Sequence, residues 1–125
     1  MSKSKQQGTK EERWQKLKIE AQLDVPVTRL VEGGMHDRGD LAFHLGSREV
    51  VVEVRDRSTM EVHKATSRAK MKAPGAWVVV MWKRKLLQPG KKVRQQVGPP
   101  VAIMLEEDWL EMAHWAKIGL ERGSE

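Results

Sequence analysis

The sequence predicts an α/β fold, a mixed central sheet flanked by helices, in the order α-β-β-β-α-β followed by a C-terminal strand and helix. Three observations carry this. Gly39-Asp40-Leu41-Ala42-Phe43-His44-Leu45 alternates apolar and polar residues, the period of a half-buried strand; Arg48-Glu49-Val50-Val51-Val52-Glu53-Val54 follows in β-branched residues after Gly46-Ser47, a pair suited to a two-residue hairpin turn. Ala76-Trp77-Val78-Val79-Val80-Met81-Trp82 shows no alternation, as expected of a strand buried on both faces. Between them, Met60 to Lys72 reads as a basic helix with a thin apolar stripe, the crossover that a parallel pairing requires.

Each remaining element has a local reason. Residues 1–9, rich in Ser, Lys, Gln and Gly, are expected to form a disordered basic tail. Lys10 to Leu23 carries Trp14, Leu17, Ala21 and, less cleanly, Ile19 and Leu23 at helical spacing, and Thr9 with Glu12 three residues on is a capping-box pattern. Glu12 therefore has two readings, cap partner or site carboxylate. Pro26 to Val31 reads as a short strand with its Pro at the tolerated first position. Gly33 to Arg38 is a loop whose His36 and Asp37 flank the hairpin; a lone His in such a loop is read as an exposed side chain. Ser58 or Thr59 is expected to cap the basic helix, and Pro74-Gly75 to end it. Lys83-Arg84-Lys85 and Lys91-Lys92-Val93-Arg94 bracket Pro89-Gly90 in a basic loop, and Val101 to Leu105 reads as a strand. Glu106-Glu107-Asp108 suits the start of a last helix, with Trp109, Met112, Ala113, Ala116 and Leu120 expected inward and 122–125 as a frayed tail.

Within the hairpin, a turn at Gly46-Ser47 sets Leu45 opposite Arg48, Phe43 opposite Val50, Leu41 opposite Val52 and Asp40 opposite Glu53. Directly opposed side chains lie roughly 5 Å apart at Cβ, where like charges are destabilising. Two readings follow: a divalent cation such as Mg²⁺ between the carboxylates, or a solvated strand face whose acids pair with nearby Lys or Arg. Arg55 shares that face.

The composition bounds the class. The chain has 125 residues, enough for one domain, here placed at 10–121. With 32% charged residues and a net charge of +6, a polyanionic partner fits. Without cysteine there is no disulfide framework, thiolate zinc site or thiol nucleophile. No apolar run approaches the ~20 residues of a membrane span, and no signal peptide is evident, so a cytoplasmic protein is expected.

With Glu12 (or Glu11) in the first helix, Gly39-Asp40 opening one strand and Glu53-Val54-Arg55 ending the next, the chain resembles the PD-(D/E)xK nuclease superfamily, and within it the Holliday-junction-resolvase-like proteins of phages. The likeness covers roughly Gly8 to Trp82; Lys83-Arg84 and Glu107-Asp108-Trp109-Leu110 are weaker parts of it. It implies a restriction-endonuclease-like αβββαβ core and a metal-dependent endonuclease acting on branched DNA, in the host cytoplasm if phage-encoded. Asp40, Glu53, the Val54 carbonyl and Glu12 would hold Mg²⁺ or Mn²⁺; Arg29, Arg38, Lys64, Arg68, Lys83 and Arg84 would receive the DNA backbone, and the two-fold symmetry of a junction favours a homodimer with the first or last helix at its interface. One departure stands out: the family's Lys is Arg55 here. Arginine is always charged and accepts no proton, so Arg55 would clamp phosphate, or Lys64 would supply the amine. The same departure supports the alternative, a nucleic-acid-binding module of this fold with impaired cleavage. A third reading is a partner-binding protein whose charges only keep it in solution.

Overall fold

The computed structural model describes residues 3–30 and 38–123, with side chains from Lys10 onward. Its elements are α1 (Lys3–Leu23), β1 (Thr28–Arg29), β2 (Leu41–Leu45), β3 (Arg48–Arg55), α2 (Val62–Lys72), β4 (Trp77–Trp82), β5 (Lys85–Leu86), β6 (Gln95–Gln96), β7 (Val101–Ile103) and α3 (Glu106–Gly123). A five-stranded sheet has the order β1-β2-β3-β4-β7, and β5 with β6 forms a separate two-stranded hairpin. The fold is thus α/β with a mixed sheet: β3 and β4 run parallel and every other pairing is antiparallel.

The hairpin register holds from Leu45↔Arg48 through Phe43↔Val50 to Leu41↔Val52, so side chains alternate between the two faces as the period demands. One face carries Leu41, Phe43, Val50 and Val52 with Trp77 and Val79, covered by Ile19 of α1 and Met112 of α3. The other carries Ala42, Val51, Val78 and Val80, covered by Ala69 of α2, by Ala73 at its C-terminal cap and by Met60. β4 is buried along its first four residues, as its unbroken apolar run requires.

Several boundaries differ from expectation. α1 starts at Lys3, so the segment read as a tail is helical from there and Thr9 lies inside the helix. That removes the capping reading of Glu12. β1 and β7 are shorter than expected, Val31, His36 and Asp37 fall outside the described residues, and α3 continues through Gly123. The cap of α2 is Glu61, whose carboxylate accepts the Lys64 amide at 2.8 Å; neither Ser58 nor Thr59 has that role.

The outer helices are turned against their apolar periodicity. Buried on α1 are Glu11, Glu12 and Gln15, whereas Trp14 and Leu17 are exposed. On α3, Met112 packs on the core but Trp109, Ala116 and Leu120 are exposed. The reason is ionic. Asp108, read as a helix-start residue, is buried and accepts the Val78 amide at 3.1 Å and Lys70 Nζ at 2.8 Å, locking the first turn of α3 to β4 and α2. Among the described residues no helix is long and apolar enough to cross a membrane.

Gly39 makes the turn into β2 with φ of +147°, and a Cβ there would meet Val51 Cγ1 at 2.6 Å. Only glycine fits both constraints. Gly39→Ala is expected to cost about 1–3 kcal/mol from backbone strain and overpacking, read by urea denaturation; an unchanged midpoint would show that the close approach of Gly39 to β3 is not required.

Candidate active site

The site forms where β2, β3 and β4 end together. The ladder stops at Leu41↔Val52. One residue beyond it the expected pairing of Asp40 with Glu53 does not form: the Asp40 amide donates to the Val52 carbonyl at 3.0 Å instead, and the Asp40 carboxylate accepts the Val54 amide at 2.7 Å. A side-chain oxygen therefore receives a donor that a longer β2 would have paired with its own carbonyl. Asp40 is fixed by the backbone of the strand that carries Glu53.

Glu53 is almost wholly buried, at 2% exposure. Its Oε2 accepts Arg55 Nη2 at 2.6 Å and its Oε1 accepts Lys72 Nζ of α2 at 3.3 Å. Arg55 Nη1 lies 3.8 Å from Asp40 Oδ2 and donates to the Val54 carbonyl at 3.2 Å. Asp40, Glu53 and the Val54 carbonyl thus all face the guanidinium of Arg55, Asp40 and the carbonyl at Nη1 and Glu53 at Nη2. Among the described residues no three His, Asp or Glu side chains are grouped to hold a metal ion.

The electrostatics follow from burial. The Asp40 carboxyl is pushed up to about 7: burial disfavours its charge most, and Glu53 and Glu12 add repulsion, against the Val54 N–H and Arg55, which favour the anion. Glu12 is held at 2.9 Å by Arg29 Nη2. Glu11, its neighbour on α1, is gripped by Lys83 Nζ and Lys85 Nζ, each at 2.6 Å. Burial pulls the Glu11 carboxyl upward, but the two ammonium partners prevail and hold it below its ordinary value. This pair of ion pairs binds α1 to the chain segment leaving β4, and so brings Glu12 alongside Asp40.

Two clefts meet at Arg55. A smaller one, about 170 Å³, is lined by Glu11, Glu12, Asp40, Val54, Asp56 and Arg57 as well. A larger one, about 530 Å³, runs between the end of β3 and α2 and is lined by Glu53, Arg57, Lys64, Arg68 and Lys72 among others. Of the six side chains expected to receive a nucleic-acid backbone, Lys64 and Arg68 line this larger cleft. Arg84 is exposed and donates to the Ser58 carbonyl at 3.1 Å. Arg29 is engaged by Glu12, Arg38 is bound in fork geometry to Glu49, and neither lines a cleft at Arg55. Lys83 is buried with Glu11 and is not presented to solvent.

Asp56 and Arg57 were not foreseen, and Lys72 and Lys85, expected as part of a basic surface for DNA, are instead held by Glu53 and Glu11. Lys83 and Lys85 did carry a signal: two lysines at i and i+2 of an extended segment point the same way, and two ammonium groups on one side ask for a buried acid. Comparison of the chain with known protein families and with curated proteins finds no match.

Because the Asp40 carboxyl titrates higher in the folded chain than in the unfolded one, the native state holds its proton over a range where the unfolded state has lost it. Stability contributed through Asp40 therefore falls as pH rises from about 4 to about 7. Asp40→Asn keeps an acceptor for the Val54 amide and removes this loss. It is expected to be more stable than wild type by on the order of 1 kcal/mol or more at pH 8, with no such gain at pH 4. Urea unfolding at both pH values measures the difference; an equal loss at both would show that the charge of Asp40 is not strained.

Proposed function

We propose that this chain is a metal-dependent DNA endonuclease of the PD-(D/E)xK kind, acting on branched DNA. The observation that carries the reading is the grouping of Asp40, Glu53 and the Val54 carbonyl around the Arg55 guanidinium, at the edge of a cleft lined by Arg57, Lys64 and Arg68. Two carboxylates and a carbonyl are hard oxygen donors suited to Mg²⁺ or Mn²⁺. A raised Asp40 beside two further acids has the repulsion that a dication relieves. Asp40, Glu53 and the Val54 carbonyl would hold the ion, with Glu12 beside them, and the ion would supply Lewis-acid activation of the phosphate and of the attacking water.

The chain's own groups do the rest. Arg55, displaced from between the carboxylates, would turn its fixed fork of donors to the scissile phosphate and stabilise the charge that develops there. Lys64 and Arg68 would hold the adjoining backbone, contacts that position a strand without reading its sequence. Such contacts suit recognition by shape. A homodimer would present two sites to the two symmetric strands of a junction, and exposed Trp14 and Leu17 on α1 or Trp109 and Leu110 on α3 offer apolar surface for its interface.

A second reading is favoured by one distance. Arg55 Nη2 lies 2.6 Å from Glu53 Oε2, so an internal cation already balances the buried acid. A chain in which Arg55 stays there would bind nucleic acid and not cut it.

Single-turnover cleavage of a four-way junction with Mg²⁺ or Mn²⁺ separates the two. Asp40→Asn and Glu53→Gln are each expected to abolish cleavage and leave binding largely intact. Arg55→Lys should retain activity, and Arg55→Ala should lose on the order of a hundredfold. If Lys64 supplies the amine, Lys64→Ala is the damaging change and Arg55→Ala a mild one. Wild-type rates in Asp40→Asn would remove the site assignment, and no cleavage by wild type with either metal would leave the binding module.

A further inference from the structure

The chain segregates its charge. From Val62 to Leu105 there is no Asp or Glu, while that stretch holds ten Lys or Arg. Its second half contains the β5–β6 hairpin, which extends from the same end of the sheet as Asp40 and Arg55. Beyond β4 the chain still tracks β3: the Lys83 amide donates to the Arg55 carbonyl at 2.7 Å and the Lys85 amide to the Arg57 carbonyl at 3.4 Å. Trp82 Nε1 donates to the Arg57 carbonyl at 2.9 Å, and Arg94 Nη1 reaches the Asp56 carbonyl at 3.1 Å. The base of the hairpin is therefore fastened to Asp56 and Arg57, residues that line the cleft containing Asp40.

The hairpin divides its cations between two tasks. Lys85 and Arg94 are spent inward on Glu11 and Asp56. Lys91 and Lys92 stand exposed at the far end, with no carboxylate partner among the described residues. They follow a tight turn in which the Lys91 amide donates to the Gln88 carbonyl at 3.1 Å, with Pro89 and then Gly90 (φ +77°) at its centre. Pro fixes the first central residue and Gly supplies the positive φ of the second, so the tip is set rather than loose. Leu87 and Val93 flank it at 62% and 68% exposure, apolar side chains in water beside two unpaired ammonium groups.

We infer that the β5–β6 hairpin is a nucleic-acid-gripping arm: Lys91 and Lys92 take backbone phosphates beyond the scissile one, and Leu87 and Val93 lie against unstacked bases at a branch. A polyanion is the partner that a carboxylate-free stretch repels least and these ammonium groups attract most. Apolar side chains inserted at a base step are a known way to hold bent or open nucleic acid. An ordered tip on an anchored base lets that contact form with little ordering cost. The arm rests on the nucleic-acid reading above and reaches further along the strand than the cleft at Arg55.

The test is a salt titration of binding to a fluorescent four-way junction and to a matched linear duplex, in EDTA so that nothing is cut. Lys91→Ala/Lys92→Ala should lower the slope of log affinity against log salt by about two, near 0.9 for each phosphate contact, and weaken binding to both DNAs roughly tenfold or more at low salt. Leu87→Ser/Val93→Ser should keep the slope and lose the preference for the junction. A wild-type slope and affinity in the lysine pair overturn the arm, while an unchanged junction preference in the apolar pair overturns its contact with bases. Wild type that binds in EDTA and still does not cut the junction once Mg²⁺ or Mn²⁺ is supplied removes the nuclease and leaves the arm. Wild type that binds no DNA removes both.

Discussion

Asp40 and Glu53 are held together by the backbone, whatever else reaches the site. The Val54 amide ties Asp40 to the strand that carries Glu53, and Glu53 is buried beneath α2. Two acids so placed need a positive charge between them, because burial strengthens their repulsion as much as it would strengthen a favourable pair. Arg55 meets that need, with Lys72 on the far side of Glu53. Much of the surrounding structure serves the same balance: Arg29 holds Glu12, and Lys83 with Lys85 holds Glu11. The end of the sheet is a set of matched charges assembled from α1, β3, α2 and the chain beyond β4.

That balance also explains the orientation of α1. Apolar side chains at helical spacing would ordinarily mark the buried face. Here the buried face is Glu11, Glu12 and Gln15, with Ile19 against the core, and Trp14, Leu17 and Leu23 look outward. Breaking a buried pair by removing one partner costs about 3–5 kcal/mol, more than the ~1.5–3 kcal/mol gained by burying one Leu-sized side chain. Turning α1 to bury Trp14 or Leu17 would strand Lys83 and Lys85 without Glu11, so the ionic demand decides.

What was legible in the sequence was what depends on neighbours in the chain. The hairpin register follows from a period of two and a turn that Gly46 can make, and the parallel pairing of β3 with β4 follows from a helix between an alternating strand and a wholly apolar one. The same arithmetic set Asp40 opposite Glu53, a pair the ladder stops short of; the two acids meet through Arg55 instead. Contacts made across the fold were not legible. Glu11 and Lys83 are 72 positions apart, and Asp108 meets Lys70 across 38. No local pattern announces either. Arg29, Arg38 and Lys83 looked available as lone cations and turned out to be engaged, because which surface cation meets which acid is settled only when the elements pack.

The position that Arg55 occupies is, on the reading proposed above, a cation site that the chain can yield to a metal ion. A crystal soaked in Mn²⁺ addresses it directly through the anomalous signal of manganese. A peak is expected within coordination distance of Asp40, Glu53 and the Val54 carbonyl, with the Arg55 guanidinium moved away from both carboxylates. No peak there, with Arg55 still seated on Glu53, would contradict that reading.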